Sequence, residues 1–193
     1  MARKLEYRNY KPSKFKIMKK IFLLSLVAML GFVAISCGDR VIDNTNYTDN
    51  TVYSQAYDLK GVSFVKSTTS NSLYGINKVF TTPLYNSDVV LIYRQDGTSS
   101  GNPIWKLLPK TYFLTQGELD YTFDFTKNDI QIYANGNFDL SAQDANFFST
   151  YLNNQTFRVL VIPATFGKST VDYNDYEAVI RKFKIDETKV KTL

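Results

Sequence analysis

The side chains able to do chemistry are few, and the missing ones narrow the field first. The 193-residue chain has no histidine and a single cysteine, Cys37. Without imidazole there is no Ser-His-Asp or Cys-His nucleophile system and no His-ligated metal. Carboxylates remain: Glu118, Asp120 and Asp124 alternate with apolar residues, which on a strand sets them on one face. Residues i and i+2 lie about 6.5 to 7 Å apart along a strand. A carboxylate pair cleaves glycosides at about 5 to 9.5 Å, so the spacing alone permits a carboxylate-based glycan hydrolase. A solvated strand face carries such charges without any chemistry, and that is the preferred expectation. Asn135-Gly136-Asn137-Phe138-Asp139 offers oxygen atoms on a turn but lacks the acidic series and closing Glu of a calcium loop, so no metal is predicted. No glycine-rich phosphate cradle joins a strand to a helix, and no cofactor is expected. Trp105, Tyr93 and Tyr112, with Tyr74 and Tyr85 behind them, are the aromatic candidates for stacking on a ligand.

The thiol of Cys37 has a more specific setting. Met18-Lys19-Lys20 opens an apolar run from Ile21 to Ile35, broken only by Ser25 and Gly31, and the run closes on Ala34-Ile35-Ser36-Cys37. A transmembrane helix needs about 20 apolar residues, whereas the apolar region of a signal peptide takes about 7 to 15. The length fits a signal peptide cleaved between Ser36 and Cys37. The segment resembles the lipobox of bacterial lipoproteins, which implies that a diacylglycerol chain is transferred to the Cys37 sulfur and that cleavage leaves it as the lipidated N-terminus. A lone thiol in an exported chain has no internal disulfide partner, which agrees. Residues 1–17 are basic without an apolar run, and they read as an extension ahead of the true start at Met18.

Removing the leader changes the charge. The whole chain carries +5, but residues 1–36 hold eight of the 23 basic and one of the 18 acidic side chains. The rest keeps 15 against 17, a net charge of −2. Nucleic acid loses its electrostatic motive as a partner.

Residues 37–51 are rich in Asp, Asn and Thr and read as the lipidated Cys followed by a flexible tether. Residues 52–193 read as a single β-rich domain. Strands are predicted over Val52–Leu59 and Val62–Val65 with a break at Gly61, and Ser67–Ser72 as a loop. The unbroken apolar runs Asp88–Arg94 and Phe157–Ile162 are the expected central strands, the second ended by Pro163. The turn chemistry from Asp96-Gly97 to Asn102-Pro103 predicts a loop. Short strands are expected over Ile104–Leu108 and Tyr112–Leu114. The alternation in Glu118–Thr126 predicts a half-buried strand, and Ile130, Ile132 and Ala134 another that ends in a hairpin turn at Asn135-Gly136. Ser141 is the expected cap of a short helix through Asn146 and Phe148, and Asp172 that of a C-terminal helix. Tyr176, Val179, Ile180 and Phe183 give the second helix one apolar stripe. The sum is an antiparallel β-sandwich of about seven to nine strands with a C-terminal α-helix, by strand spacing. A partly open β-barrel is the alternative.

The lipobox at Cys37, the polar tether and the segments Asp88–Arg94, Tyr121–Phe125 and Asn154–Val159 together resemble small uncharacterised lipoproteins of the Bacteroidota. That resemblance implies a β-rich domain held at the outer membrane and supplies no activity or site residues. Surface-displayed lipoproteins of that group often carry an acidic stretch after the lipidated Cys. Here only Asp39 and Asp43 lie near it, interrupted by Arg40, so the periplasmic and cell-surface sides both stay open. The expected role is non-enzymatic: a binding module for an envelope protein or glycan, anchored to the membrane through Cys37. The alternatives are a structural or assembly accessory of the outer membrane and, more weakly, the glycan hydrolase.

Overall fold

Two five-stranded sheets pack face to face in a computed structural model that describes residues 54–166 and 170–193. The expected leader, the expected cleavage site at Ser36, Cys37, the expected tether over 37–51 and the first residues of the strand predicted from Val52 lie outside the described residues.

The strands are β1 (Gln55–Val62), β2 (Val65–Lys66), β3 (Leu73–Val79), β4 (Val89–Ser99), β5 (Asn102–Leu107), β6 (Lys110–Leu114), β7 (Gly117–Phe125), β8 (Asp129–Gly136), β9 (Gln155–Ile162) and β10 (Lys191–Thr192). Sheet A has the order β10-β1-β9-β4-β5 and sheet B the order β2-β3-β8-β7-β6. All pairings are antiparallel except β1 with β10. The expected β-sandwich is therefore present, and neither sheet closes into a barrel. The ten strands exceed the expected number because β2 and β10 are two-residue pieces.

The two unbroken apolar runs hold interior positions, with β9 at the centre of sheet A and β4 beside it. Phe157, Val159 and Val161 face sheet B, in one core with Ile92, Ile132, Leu119 and Tyr121. Leu160 and Ile162 face the other way, into a second core with Tyr93, Val179, Ile180 and Phe183. Sheet A is covered on both faces, which is why its inner strands lack polar alternation. Sheet B is covered on one face only. Its strand β7 keeps the predicted alternation, with Leu119 and Tyr121 buried between exposed Glu118 and Thr122.

The cover on sheet A is the C-terminal helix α2 (Tyr176–Lys182). Its stripe is buried as the spacing predicted, but its cap is Asp175, which accepts from the Ala178 N–H at 2.9 Å. Asp172 instead holds a preceding turn through the Asn174 N–H. The other helical segment has a 3₁₀ turn at Leu140–Ala142 capped by Asp139, then α1 (Ala145–Phe147) capped by Asp144 and prolonged by a wide turn over Phe148–Leu152. Ser141 lies inside the first turn. Both caps fall to aspartates, whose carboxylates reach the free N–H groups of a first turn.

Three further expectations are corrected. Gly61 does not separate two strands: at φ 66° it makes a bulge inside β1, where the register with β9 shifts between Leu59 and Val62. The stretch from Asp96 to Pro103 is a hairpin in which Ser99 pairs with Asn102, across a two-residue turn of Ser100 and Gly101. Their φ values of 49° and 83° give the twist such a turn requires, and Pro103 is tolerated because β5 is an edge strand. Asn135 and Gly136 form no hairpin turn. They pair with β7 through Asp120 and Leu119, and Asn135 also pairs with Leu73 of β3.

Candidate functional site

Two arginines, Arg94 buried and Arg158 mostly buried, stand back to back through sheet A and set its polar chemistry. Arg94 of β4 points toward sheet B and is 4% exposed. Its five N–H groups make five bonds: Nε and Nη2 donate to Gln155 Oε1 at 3.1 and 2.7 Å, Nη2 also to the Thr150 carbonyl at 2.9 Å, and Nη1 to Asp96 Oδ1 at 2.6 Å and the Tyr112 hydroxyl at 3.0 Å. The guanidinium lies 5.3 and 5.0 Å from the ring centroids of Tyr112 and Tyr121. Burial works against the charge, but Tyr121, Tyr112 and Asp96 more than offset it. Burial pushes the Tyr112 phenol up to about 12, against the pull of Arg94. An open polar cleft of about 420 Å³ lies over this group. Every Arg94 donor is already used, so the cleft offers an anion no guanidinium N–H.

Arg158 of β9 points the other way, under α2. It forks onto Asp58 at 2.7 and 3.0 Å, and its Nη1 donates to the Tyr176 hydroxyl at 2.6 Å and to Glu187 at 2.5 Å. Its guanidinium carbon sits 4.7 Å from the Trp105 ring centroid. Burial alone would lower its pKa, yet the hydrogen bonds to Asp58 and Tyr176 hold it above its ordinary value. This cluster joins β1, β9, α2 and the C-terminal turn, and it is structural cement.

The aromatic candidates fall within these clusters. Trp105 is half-buried against Tyr176 and Arg158. Tyr93 is fully buried and donates to the Tyr173 carbonyl at 2.7 Å, so its ring presents no stacking surface. Tyr112 belongs to the Arg94 network, and Tyr74 is buried. Tyr85 alone of the five is exposed.

The uncovered surface is the outer face of sheet B. Asn77, Gln131 and Asp124 form one cross-strand row, Gly75, Tyr133 and Thr122 the next, and Leu73, Asn135, Asp120 and Thr111 a third. The Tyr133 ring leans over Gly75, where a Cβ would sit 3.7 Å away, and its one hydroxyl proton is shared between Asp124 at 3.0 Å and Gln131 at 2.7 Å. The sequence-predicted carboxylates all reach this face, but their neighbours occupy two of them: Asp120 accepts from the Thr111 hydroxyl at 2.5 Å, and Asp124 from Tyr133. Asp139 is taken by Ser141, Ala142 and Asn71, and hydrogen bonding to Ser141 holds its carboxyl below the usual range. Among the described residues no group of three or more acidic side chains is placed to hold a metal ion.

At one end this face opens into a depression of about 620 Å³ between β1 and β3. Lys60, Gly61, Val62 and Ser63 line one side, and Gly75, Asn77 and Lys78 the other. Sequence reasoning missed it. Its signal is Gly61, whose bulge lies near the end of β1, just before the chain crosses to sheet B through Ser63 and Phe64.

No family model matches the chain, and neither a curated protein nor a solved structure is similar to it.

Proposed function

We propose that this chain is a lipid-anchored protein of the cell envelope whose β-sandwich is a non-enzymatic binding module for a protein or glycan partner, engaged through the outer face of sheet B. One observation carries the reading: sheet A is covered on both faces, whereas sheet B leaves a whole face of amide, hydroxyl, carboxylate and aromatic groups to solvent. Amides and hydroxyls that point outward across several strands recognise polar partners without chemistry, and Tyr133 adds a ring held in place at its hydroxyl. The hydrolase alternative loses support because Asp120 and Asp124 are bound to neighbouring hydroxyls instead of converging on a cleft. The accessory alternative calls for a broad apolar patch. Exposed Val65 and Phe113 sit on opposite edge strands, with the polar rows between them.

Photocrosslinking residues at Thr122 and Gln131 in intact cells test this, with Lys182 on α2 as the control. The expected result is an adduct with a protein or glycan from the two sheet positions and none from Lys182. Equal adducts at Lys182, or none anywhere, would overturn it.

A further inference from the structure

The chain enters sheet B too late to complete its edge, and the unfinished part borders the depression. β2 pairs with β3 only through Val65 with Gly75 and Lys66 with Tyr74. Continuing that register would set Ser63 opposite Asn77 and Gly61 opposite Val79. Neither is there. Gly61 belongs to the bulge of β1, the Ser63 hydroxyl accepts from the Asn154 N–H at 3.3 Å, and the Phe64 N–H donates to the Leu152 carbonyl at 2.9 Å.

The main-chain direction at Asn77 and Val79 follows from their neighbours. Phe80 N–H donates to the Asn128 carbonyl and the Ser72 carbonyl accepts from Gly136, so even-numbered residues of β3 serve β8. The Leu73 carbonyl accepts from the Ser67 N–H on the other side. By that alternation Asn77 and Val79 aim N–H and C=O groups at a position that no strand fills among the described residues.

We infer that the edge of β3 at Asn77–Val79 accepts an extended acidic peptide segment of a partner protein as an added strand. The proposal rests on the binding reading above and names its occupant. Main-chain bonds give such a contact its affinity, and alternate side chains give it specificity. Val65 and Val79 are 73% and 66% exposed, which suits apolar residues at one set of alternate positions. Lys60 and Lys78 line the depression and Lys66 follows in β2, which suits carboxylates at the other set. Lys60 also lies 3.5 Å from Asp58, whose carboxylate is committed to Arg158, and Asp129 at the far end is held by Thr126 and Asn77. A second copy of this chain would bring the same lysines against each other. An acidic segment would neutralise them.

The test uses the full chain in detergent micelles and a labelled hexapeptide that alternates valine and aspartate, with fluorescence anisotropy for binding and hydrogen exchange for the amides. Saturating peptide should slow exchange at Asn77 and Val79 by about tenfold or more, and a lysine-for-aspartate peptide should bind at least about tenfold more weakly. Asn77→Pro removes the outward N–H and the side-chain contact to Asp129, the second of which Asn77→Ala also removes, and leaves the β8 ladder intact. It should lower affinity at least about tenfold, whereas Asn77→Ala should change it less than about threefold. Equal losses in the two variants would mean side-chain recognition, as a glycan would use, and would overturn strand addition. So would unchanged exchange at both amides in the unsubstituted chain, which decides the matter even if Asn77→Pro fails to fold. Peptide failure alongside the Thr122 and Gln131 adducts refutes this inference alone; failure of both refutes the binding reading as well.

Discussion

Replacing Arg94 by Met keeps most of the aliphatic stem and removes the five-bond hub. Gln155 Oε1 then loses both of its N–H donors inside the protein, at a cost of about 1–3 kcal/mol for a buried acceptor left without a partner. The Thr150 carbonyl keeps a bond from Gln155 Nε2 at 3.2 Å, and Asp96 keeps the Tyr112 hydroxyl and reaches water, so neither adds much. Loss of the guanidinium from beside the Tyr112 and Tyr121 rings costs about 0.5–2 kcal/mol. The sum is a destabilisation of about 1.5–5 kcal/mol. With a urea slope of about 2 kcal/mol per molar, the unfolding midpoint should fall by about 0.8 to 2.5 M. Trp105, the only tryptophan, lies in the Arg158 cluster on the other side of sheet A, so its fluorescence reports global unfolding without direct disturbance. A midpoint within about 0.3 M of the parent, with the same slope, would refute the view of Arg94 as a structural hub and return the cleft above it to consideration as an anion site.

Asp58→Asn should cost about 2 kcal/mol, because it leaves the partly buried Arg158 charge with Glu187 as its remaining carboxylate; it should also shift Trp105 emission, and an unshifted spectrum at unchanged stability would contradict the cluster as described. Alkaline pH should destabilise the domain. Burial raises the phenols of Tyr93, Tyr121 and Tyr176 above their ordinary value and Tyr112 to about 12, whereas unfolded phenols titrate near 10. Above about pH 10 the unfolded chain binds fewer protons than the folded one, so stability is full below that pH and falls as pH rises toward 12. Phenolate difference spectra should show a group of tyrosines that ionise only on unfolding, and reversible titration of every tyrosine near pH 10 with unchanged circular dichroism would contradict this.

The parts of the fold written in side-chain periodicity were legible from the chain. Phe157–Ile162 lacks alternation because both of its faces are covered, Glu118–Thr126 has it because one face is wet, and the stripe through Tyr176, Val179, Ile180 and Phe183 is buried as spaced. Turn chemistry was less faithful. Asn135-Gly136 has a hairpin composition, yet β8 lies between two partners and tertiary pairing absorbs the dipeptide. Ser100-Gly101 does turn, within strands longer than their composition suggested. The wet face of the candidate site was visible in the spacing of Glu118, Asp120 and Asp124. The arginine hubs and the open edge were not, because each depends on residues far apart in sequence: Arg94 on Gln155, Arg158 on Asp58, and the gap beside Asn77 on where Gly61 turns the chain out of line.

The central claim, an anchored envelope module, is met most directly at Cys37. Metabolic labelling with an alkyne fatty acid should tag the intact protein in the membrane fraction, and Cys37→Ser should abolish both the tag and the membrane association. Undiminished labelling of the Cys37→Ser variant, or no label on the parent chain, would contradict the account.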